Sequence, residues 1–289
     1  MPPAPAFQRA LNLGLIGFPI GHSLSPLMHQ TALRLAGLAG TYRAIEVRPE
    51  EIPEWIRHIR SQEMDGFNVT IPHKERIIDH LDALSDEART IGAVNTVHRT
   101  DGRFTGYNTD VTGVVESLRP YAAELRGQKA LILGAGGAAR AVLFALTRSI
   151  GIGYVTIAAR TRRRAEVIAD EVPGSGIRPE IIDWNAQILS EAVAESALLV
   201  NCTPVGMYPD SGHSPLPGSA AIASSLVVFD LVYRPLRTAL LARAESAGCR
   251  TLSGLDMFIY QGAASFRIWT GLPMKIESIR SVLLASLNA

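Results

Sequence analysis

The apolar run Leu11–Gly17, closed by Gly17-Phe18-Pro19-Ile20-Gly21, predicts a short buried strand followed by a turn. Ser25-Pro26 then opens a helix to about residue 36, with serine as N-cap and proline at the first helical position. A second strand is expected over 41–47 and a helix from Pro49 to about Arg60. A third strand follows over 66–71, stopped by Pro72. This β-α-β-α-β order predicts a mostly parallel sheet with helices on both faces. From Gln128 the alternation restarts: strand 129–133, a glycine turn, helix 137 to about 148, strand 154–158 and helix 162–170. Strands at 197–202 and 226–231, a short one at 251–252, and terminal helices over 255–269 and 276–287 complete a second α/β unit and the chain end.

Composition narrows the class. The 289 residues are 47% hydrophobic and 19% charged, enough to bury a core and inconsistent with extended disorder. At about 150 residues per domain, that length suggests two domains. With 28 Lys+Arg against 27 Asp+Glu the net charge is +1, which offers no general field for nucleic acid. Cys202 and Cys249 are the two cysteines, so neither a thiolate cluster nor a disulfide framework is expected, and a reducing, cytoplasmic compartment fits. Residues 1–10 are rich in Pro and Ala and lack the apolar run of a secretory signal, so a frayed start without export is expected. The 24 residues between Arg9 and Arg34 contain no Asp, Glu, Lys or Arg, long enough to span a bilayer. Pro19, Pro26, His22, His29, Ser23, Ser25, Asn12 and Gln30 interrupt the stretch, and lipid would leave those polar groups unsatisfied, so no membrane span is expected.

Gly134-Ala135-Gly136-Gly137-Ala138-Ala139 sits directly after one predicted strand and opens an apolar helix, the context of a dinucleotide fingerprint. Small residues there let backbone N–H groups and the helix N-terminus approach a pyrophosphate. S-adenosylmethionine enzymes use similar turns, so the turn alone does not name the ligand. The next strand ends in Ala159-Arg160-Thr161-Arg162-Arg163-Arg164 with no carboxylate to take a ribose 2′-hydroxyl. Guanidinium groups pair with phosphate in two-pronged fashion, which favours NADP over NAD and over a methyl donor. Arg160 and Arg164 are the better candidates, because Arg162 and Arg163 can equally be a solvated helix face.

Polar groups also recur in the first half. Lys74, in Asn68-Val69-Thr70-Ile71-Pro72-His73-Lys74, is expected near a helix N-terminus opened by Pro72, where the positive end of the dipole lowers an ammonium pKa. Gly92-Ala93-Val94-Asn95-Thr96 and Gly106-Tyr107-Asn108-Thr109-Asp110 bring amide, hydroxyl and carboxylate groups into glycine-flanked segments. Ketone reduction needs a proton donor to the developing alkoxide and a group that holds the donor, roles a lysine and an aspartate can share. Singly, each has a structural explanation: Lys74 a surface charge, Asn95 a turn former, Asp110 an N-cap. Ser23 and Ser25 flank Leu24, so in an extended loop both hydroxyls could hold a carboxylate; the alternative is capping by Ser25 alone. His22, His29 and His73 lack metal-ligand spacing, and no metal is expected.

These blocks, with Gly21 through Pro26, Gly134 through Arg140, Asp230 through Pro235 and Gly254 through Gln261, resemble the shikimate dehydrogenase family over nearly all the chain after residue 10. The resemblance implies a reversible NADPH-dependent reduction of 3-dehydroshikimate on the way to chorismate and the aromatic amino acids. It implies Ser23 and Ser25 on the substrate carboxylate, and Asn68, Thr70, Asn95, Asp110 and Gln261 on ring hydroxyls. Lys74 and Asp110 would form the catalytic pair, Tyr233 would lie near the substrate and Met257 near the nicotinamide. Residues Gly134, Ala135, Gly136, Gly137, Ala138, Ala139, Arg160, Thr161, Arg164, Thr203, Gly254 and Met257 would hold the cofactor. The implied fold is two α/β domains: a substrate domain of residues 1–112 and 254–289, and an inserted Rossmann-like NADP domain of residues 113–253. Closure over a cleft would exclude water. An NAD-using quinate/shikimate dehydrogenase and a noncatalytic nucleotide-binding paralogue are the alternatives, and either monomer or homodimer is compatible. Two positions depart from the commoner pattern: Ala159 stands where many relatives have asparagine, and Cys202 where many have alanine. Cys202 is expected to pack rather than react.

Overall fold

The computed structural model describes residues 9–171 and 176–288, so most of the expected frayed start, up to Gln8, lies outside the described residues. The chain divides into two compact units, residues 1–109 with 259–289 and residues 110–258; the sequence reading cuts it after 112 and after 253. Among the described residues no helix is long and apolar enough to cross a membrane.

The first unit is built on a six-stranded sheet of β1 (Leu11–Gly17), β2 (Gly40–Glu46), β3 (Gly66–Val69), β4 (Ala83–Leu84), β5 (Thr96–Thr100) and β6 (Arg103–Tyr107), in the order β2-β1-β3-β5-β6-β4. β1 runs parallel to β2 and β3, but β5 is antiparallel to both β3 and β6. The sheet is therefore mixed, not the mostly parallel one expected. Its reversal comes from the Asp101-Gly102 turn, with φ of 52° and 76°, a two-residue loop whose twist suits a hairpin. The core joins Ile16, Phe67, Ile77, Val97 and Phe104, all buried, with Trp55 and Phe104 each meeting Phe67 edge-on. Burying each such side chain is worth about 1.5–3 kcal/mol. At the open edge, Gln30 from the helix Ser25–Leu35 donates Nε2–H to Gly40 O (3.1 Å) and accepts from Tyr42 N–H (3.1 Å).

Two local expectations fail here. Ser25 is the first residue of its helix, with Leu24 at the cap position and no side-chain cap bond. Pro72 opens no α-helix: a turn leads into a 3₁₀ segment, Arg76–His80, so the dipole argument for Lys74 has no helix behind it.

The second unit carries β7 (Lys129–Leu133), β8 (Tyr154–Ala159), β9 (Glu180–Asp183), β10 (Leu198–Asn201), β11 (Val227–Asp230) and β12 (Arg250–Ser253), all parallel, in the order β12-β11-β10-β7-β8-β9. Counted within the unit this is 3-2-1-4-5-6 read from the β9 edge, the doubly wound arrangement whose order reverses beside β7. Buried Leu131, Leu133, Leu199, Val228 and Leu240 form its core. β9 and the helices Asp110–Leu118, Ala186–Ala194 and Ala239–Ser246 were not expected; Asn185 caps the second through bonds to Gln187 and Ile188 N–H, and Thr238 caps the third. The helix after β7 ends at Ala145 and continues as a π-helical turn, Leu146–Ile150.

Candidate active site

Asn68 sits on β3, buried on both faces, and a carboxamide there must find partners inside the protein. Its Oδ1 accepts from the Tyr42 hydroxyl (2.7 Å). Its Nδ2 faces Asn95 O, Thr96 Oγ1 and Ser265 Oγ at 3.0, 3.1 and 3.1 Å. Asn95 is held by its backbone, donating N–H to Tyr107 O (3.1 Å) and accepting from Val69 N–H (2.9 Å). The Asn95 side chain donates to Thr109 Oγ1 (2.9 Å) and Gln261 Oε1 (3.3 Å), and accepts from Thr109 N–H (2.7 Å). Three expected residues, Asn68, Asn95 and Gln261, thus share one hydrogen-bonded network. Lys74 is tied beside it through its backbone: Val94 N–H donates to Lys74 O at 2.7 Å. Asp110 follows Thr109 in the chain and is buried at the start of the helix Asp110–Leu118.

Ser23 and Ser25 place their Oγ atoms 3.2 Å apart, so both hydroxyls do lie together. They do so without an extended loop, since Leu24 has φ −86° and ψ 0°; Ser25 N–H donates to Ser23 Oγ (3.2 Å) and tightens the turn. Thr70 follows β3, with its N–H on Ile16 O (2.9 Å) and its C=O accepting from His73 N–H (2.9 Å). The buried His73 ring bonds Val47 O at 2.7 Å, and burial lowers its pKa.

In the second unit Gly134 closes β7 with φ +106°, its N–H on Ala158 O (2.8 Å); a Cβ there would lie 3.0 Å from the Thr203 methyl. Gly136 is extended and caps the helix Gly137–Ala145, and a Cβ on it would project into space open for 4 Å. Ala135 and Ala138 are half-buried around it, while Ala139 is buried in the helix. That open, Cβ-free helix start fits a diphosphate. At the tip of β8, Arg162 is committed to Asp183 (3.0 Å) and Glu166 (3.3 Å), and Arg163 lies 3.8 Å from Glu166. Arg160, Thr161 and Arg164 are exposed, and among the described residues neither Arg160 nor Arg164 has a carboxylate partner. The tip therefore fits a phosphomonoester.

A buried chain of bonds shapes the ends of β10 and β11. Asn201 donates to Asp230 Oδ1 (2.9 Å), Thr238 donates to Asp230 Oδ2 (2.6 Å), and Asn201 Oδ1 accepts from both the N–H and the hydroxyl of Thr203 (3.0 and 2.7 Å). Burial raises the Asp230 pKa despite these donors. Cys202, beside it, is half-buried, and burial and the Asp230 charge push its thiol pKa up, which favours the protonated form. Tyr233 stacks on Phe258 at 4.6 Å and Met257 is buried. Gly254 starts its helix where a Cβ would collide with Leu231 O at 2.1 Å.

Comparison with known proteins identifies the frame that carries these groups. The profile described as shikimate dehydrogenase substrate binding domain matches residues 15–97, and that described as shikimate 5'-dehydrogenase C-terminal domain matches 254–284. A shikimate dehydrogenase (NADP(+)) of Symbiobacterium thermophilum is 41% identical over 278 residues, 96% of this chain and 94% of its own. The chain belongs to the shikimate dehydrogenase family. A shikimate 5-dehydrogenase of Thermus thermophilus, solved with NADP(H) and shikimate, is 40% identical with a TM-score of 0.84, covering 96% of this chain and 100% of that one. A quinate dehydrogenase of Corynebacterium glutamicum, solved with NAD, is 31% identical with a TM-score of 0.86 over 96% and 99% of the two chains. Residues 130–211 also match a profile described as saccharopine dehydrogenase NADP binding domain. The family's two α/β domains are both present here, one sheet to each.

Tyr42 and Ser265 also belong to the network and lie in no motif of the sequence, whereas Thr96 and Thr109 stand in the motif blocks without a role of their own. Tyr42 and Ser265 bond Asn68 across 26 and 197 positions, and local pattern carries no trace of them.

Proposed function

We propose that the chain catalyses the reversible, NADPH-dependent reduction of 3-dehydroshikimate to shikimate, a step toward aromatic amino acids. The observation that carries the reading is the Asn68–Asn95–Gln261 network, buried at both asparagines, with Lys74 anchored one residue away, in a chain of this family. A network rich in fixed amide and hydroxyl groups suits a ligand bearing several hydroxyls, and the paired Ser23 and Ser25 hydroxyls suit its carboxylate. Asn68, Thr70, Asn95, Asp110 and Gln261 hold the ring hydroxyls, and Tyr233 borders the substrate. Lys74 gives its proton to the carbonyl oxygen as it becomes an alkoxide, and Asp110 orients Lys74 and a substrate hydroxyl.

NADPH supplies the hydride. Gly134 to Ala139 and the first turn of the following helix hold its diphosphate; Arg160, Thr161 and Arg164 hold the 2′-phosphate; Thr203, Gly254 and Met257 border the nicotinamide. The test is a spectrophotometric assay of shikimate and quinate, each with NADP and NAD. Turnover of shikimate with NADP is expected to dominate. A faster rate with NAD overturns the assignment of Arg160 and Arg164, and turnover of neither acid overturns the reading.

A further inference from the structure

Tyr42 belongs to no motif of the sequence, yet it sits between two of the groups assigned to substrate. It lies on the edge strand β2 in register with Leu13 of β1, which is in register with Gly66 of β3. Parallel neighbours in register share a face, and Asn68 lies two residues beyond Gly66 on that same face. The Tyr42 side chain therefore reaches across β1 to Asn68. The ring is held on the way: His29 stacks on it at 4.5 Å and 16°, and Trp269 tilts against it at 6.1 Å. Trp269 reaches this depth because residue 66 is glycine; a Cβ there would strike its Nε1 at 2.3 Å. Trp269 Nε1–H itself donates to Val97 O at 2.9 Å. Gln30 holds the backbone N–H of Tyr42 in addition. A ring so fixed delivers its oxygen to one place.

Proton counting gives the direction of the bonds at that oxygen. Asn68 Oδ1 can only accept, so the single phenolic proton goes to it. Burial raises the Tyr42 pKa and the neighbouring Ser25 hydroxyl lowers it, as a group donating toward the phenolic oxygen does, while Ser23 donates to Ser25 at 3.2 Å. The Tyr42 oxygen thus lies between the serine pair and Asn68. Asn68 Nδ2 is occupied by its three protein acceptors, so the free lone pair of Oδ1 is what Asn68 offers a ligand. We propose that Tyr42 is a positioning residue for substrate, whose hydroxyl sets the spacing between the carboxylate-binding serines and Asn68 as an acceptor for a ring hydroxyl. This rests on the functional reading above.

Because Tyr42 acts on groups away from the reacting carbon, its hydroxyl serves binding rather than the chemical step. The full-length Tyr42→Phe variant keeps the stacked ring and removes the oxygen. Its KM for shikimate is expected to rise about tenfold, the usual size of one buried hydrogen bond to a recognition group, with kcat within about twofold and KM for NADP unchanged. Adding Tyr42→Phe to Ser25→Ala is expected to cost clearly less than the product of the two single effects, since both act at the Tyr42 oxygen. A shikimate KM within about twofold of the parent, an equal rise in the NADP KM, or fully multiplicative effects would each overturn the proposal while the parent still turns over shikimate. A parent inactive on shikimate overturns the functional reading and the proposal with it.

Discussion

The two units build their candidate sites from opposite materials. The first brings together side chains that bind one another: Asn68, Asn95, Thr96, Thr109, Gln261 and Ser265 are joined by bonds of 2.7–3.3 Å and all but Gln261 are buried. The second has little of this at its glycine turn, where backbone, missing Cβ atoms and exposed arginines are what the proposed function gives to the nucleotide. A ring with several hydroxyls can be told from its isomers only by fixed donors and acceptors, because a site left with an unpaired buried group rejects the wrong ligand strongly. A diphosphate needs charge and N–H groups more than fixed rotamers. Substitutions in the first unit should therefore act on the acid, and those in the second on the nucleotide.

The most severe way to break the first half is Lys74→Ala. The expected loss is about 10²- to 10⁴-fold in kcat, the range of a proton-transfer group, with NADPH binding unchanged by fluorescence titration. Turnover within about threefold of the parent would leave the proton-donor role untenable.

Next in size is a pH effect confined to the first unit. His29 is wholly buried, its ring nitrogens have no hydrogen-bond partner, and burial brings its pKa from 6.5 down to about 3. The unfolded chain takes up that proton near 6.5 and the folded one near 3. Its contribution is therefore fully present above about 6.5 and is lost as the pH falls toward 3, at up to about 1.4 kcal/mol per pH unit. His29→Phe, which keeps the stack on Tyr42, should flatten the fall in thermal midpoint between pH 7 and pH 4. An unaltered slope would show that other groups cause it.

Ser265→Ala is the milder cut in the same network. It takes a partner from Asn68 Nδ2, Thr96 and Thr109, and should cost about 1–3 kcal/mol in urea unfolding while raising the KM for shikimate and not that for NADP. Parallel rises in both constants would erase the contrast drawn between the units. Smallest is Arg160→Gln or Arg164→Gln, each expected to raise the KM for NADP several-fold while leaving that for NAD in place. A matched rise for NAD would place these arginines elsewhere than on a 2′-phosphate.

Local pattern carried the second unit further than the first. β1 and β7 fall on their expected bounds because each is a short apolar run next to glycine. The hairpin of β5 and β6 escaped because Thr96–Thr100 and Arg103–Tyr107 are short and half polar, although the Asp101-Gly102 pair between them is a hairpin signal in its own right. The helix Asp110–Leu118 escaped because it is short and carries a glycine at 113, although Asp110 reads as a possible cap. Of the site, Asn68, Asn95, Gln261 and the serine pair were legible as motif blocks, and the arginine tip as a charge run lacking a carboxylate. What joins them was not legible. Tyr42 and Ser265 meet Asn68 across 26 and 197 positions, a proximity created by strand order and by the placing of the helix Gly254–Thr270.

Gln30 has a consequence for how this protein behaves when concentrated. The rim of a sheet is a template on which another chain can add a strand, and β2 is such a rim. The Gln30 carboxamide fills one acceptor and one donor of that template, as the backbone of an added strand would. A newcomer would first have to evict a side chain already in place, so the rim resists seeding of edge-to-edge aggregates at its Gly40–Tyr42 end.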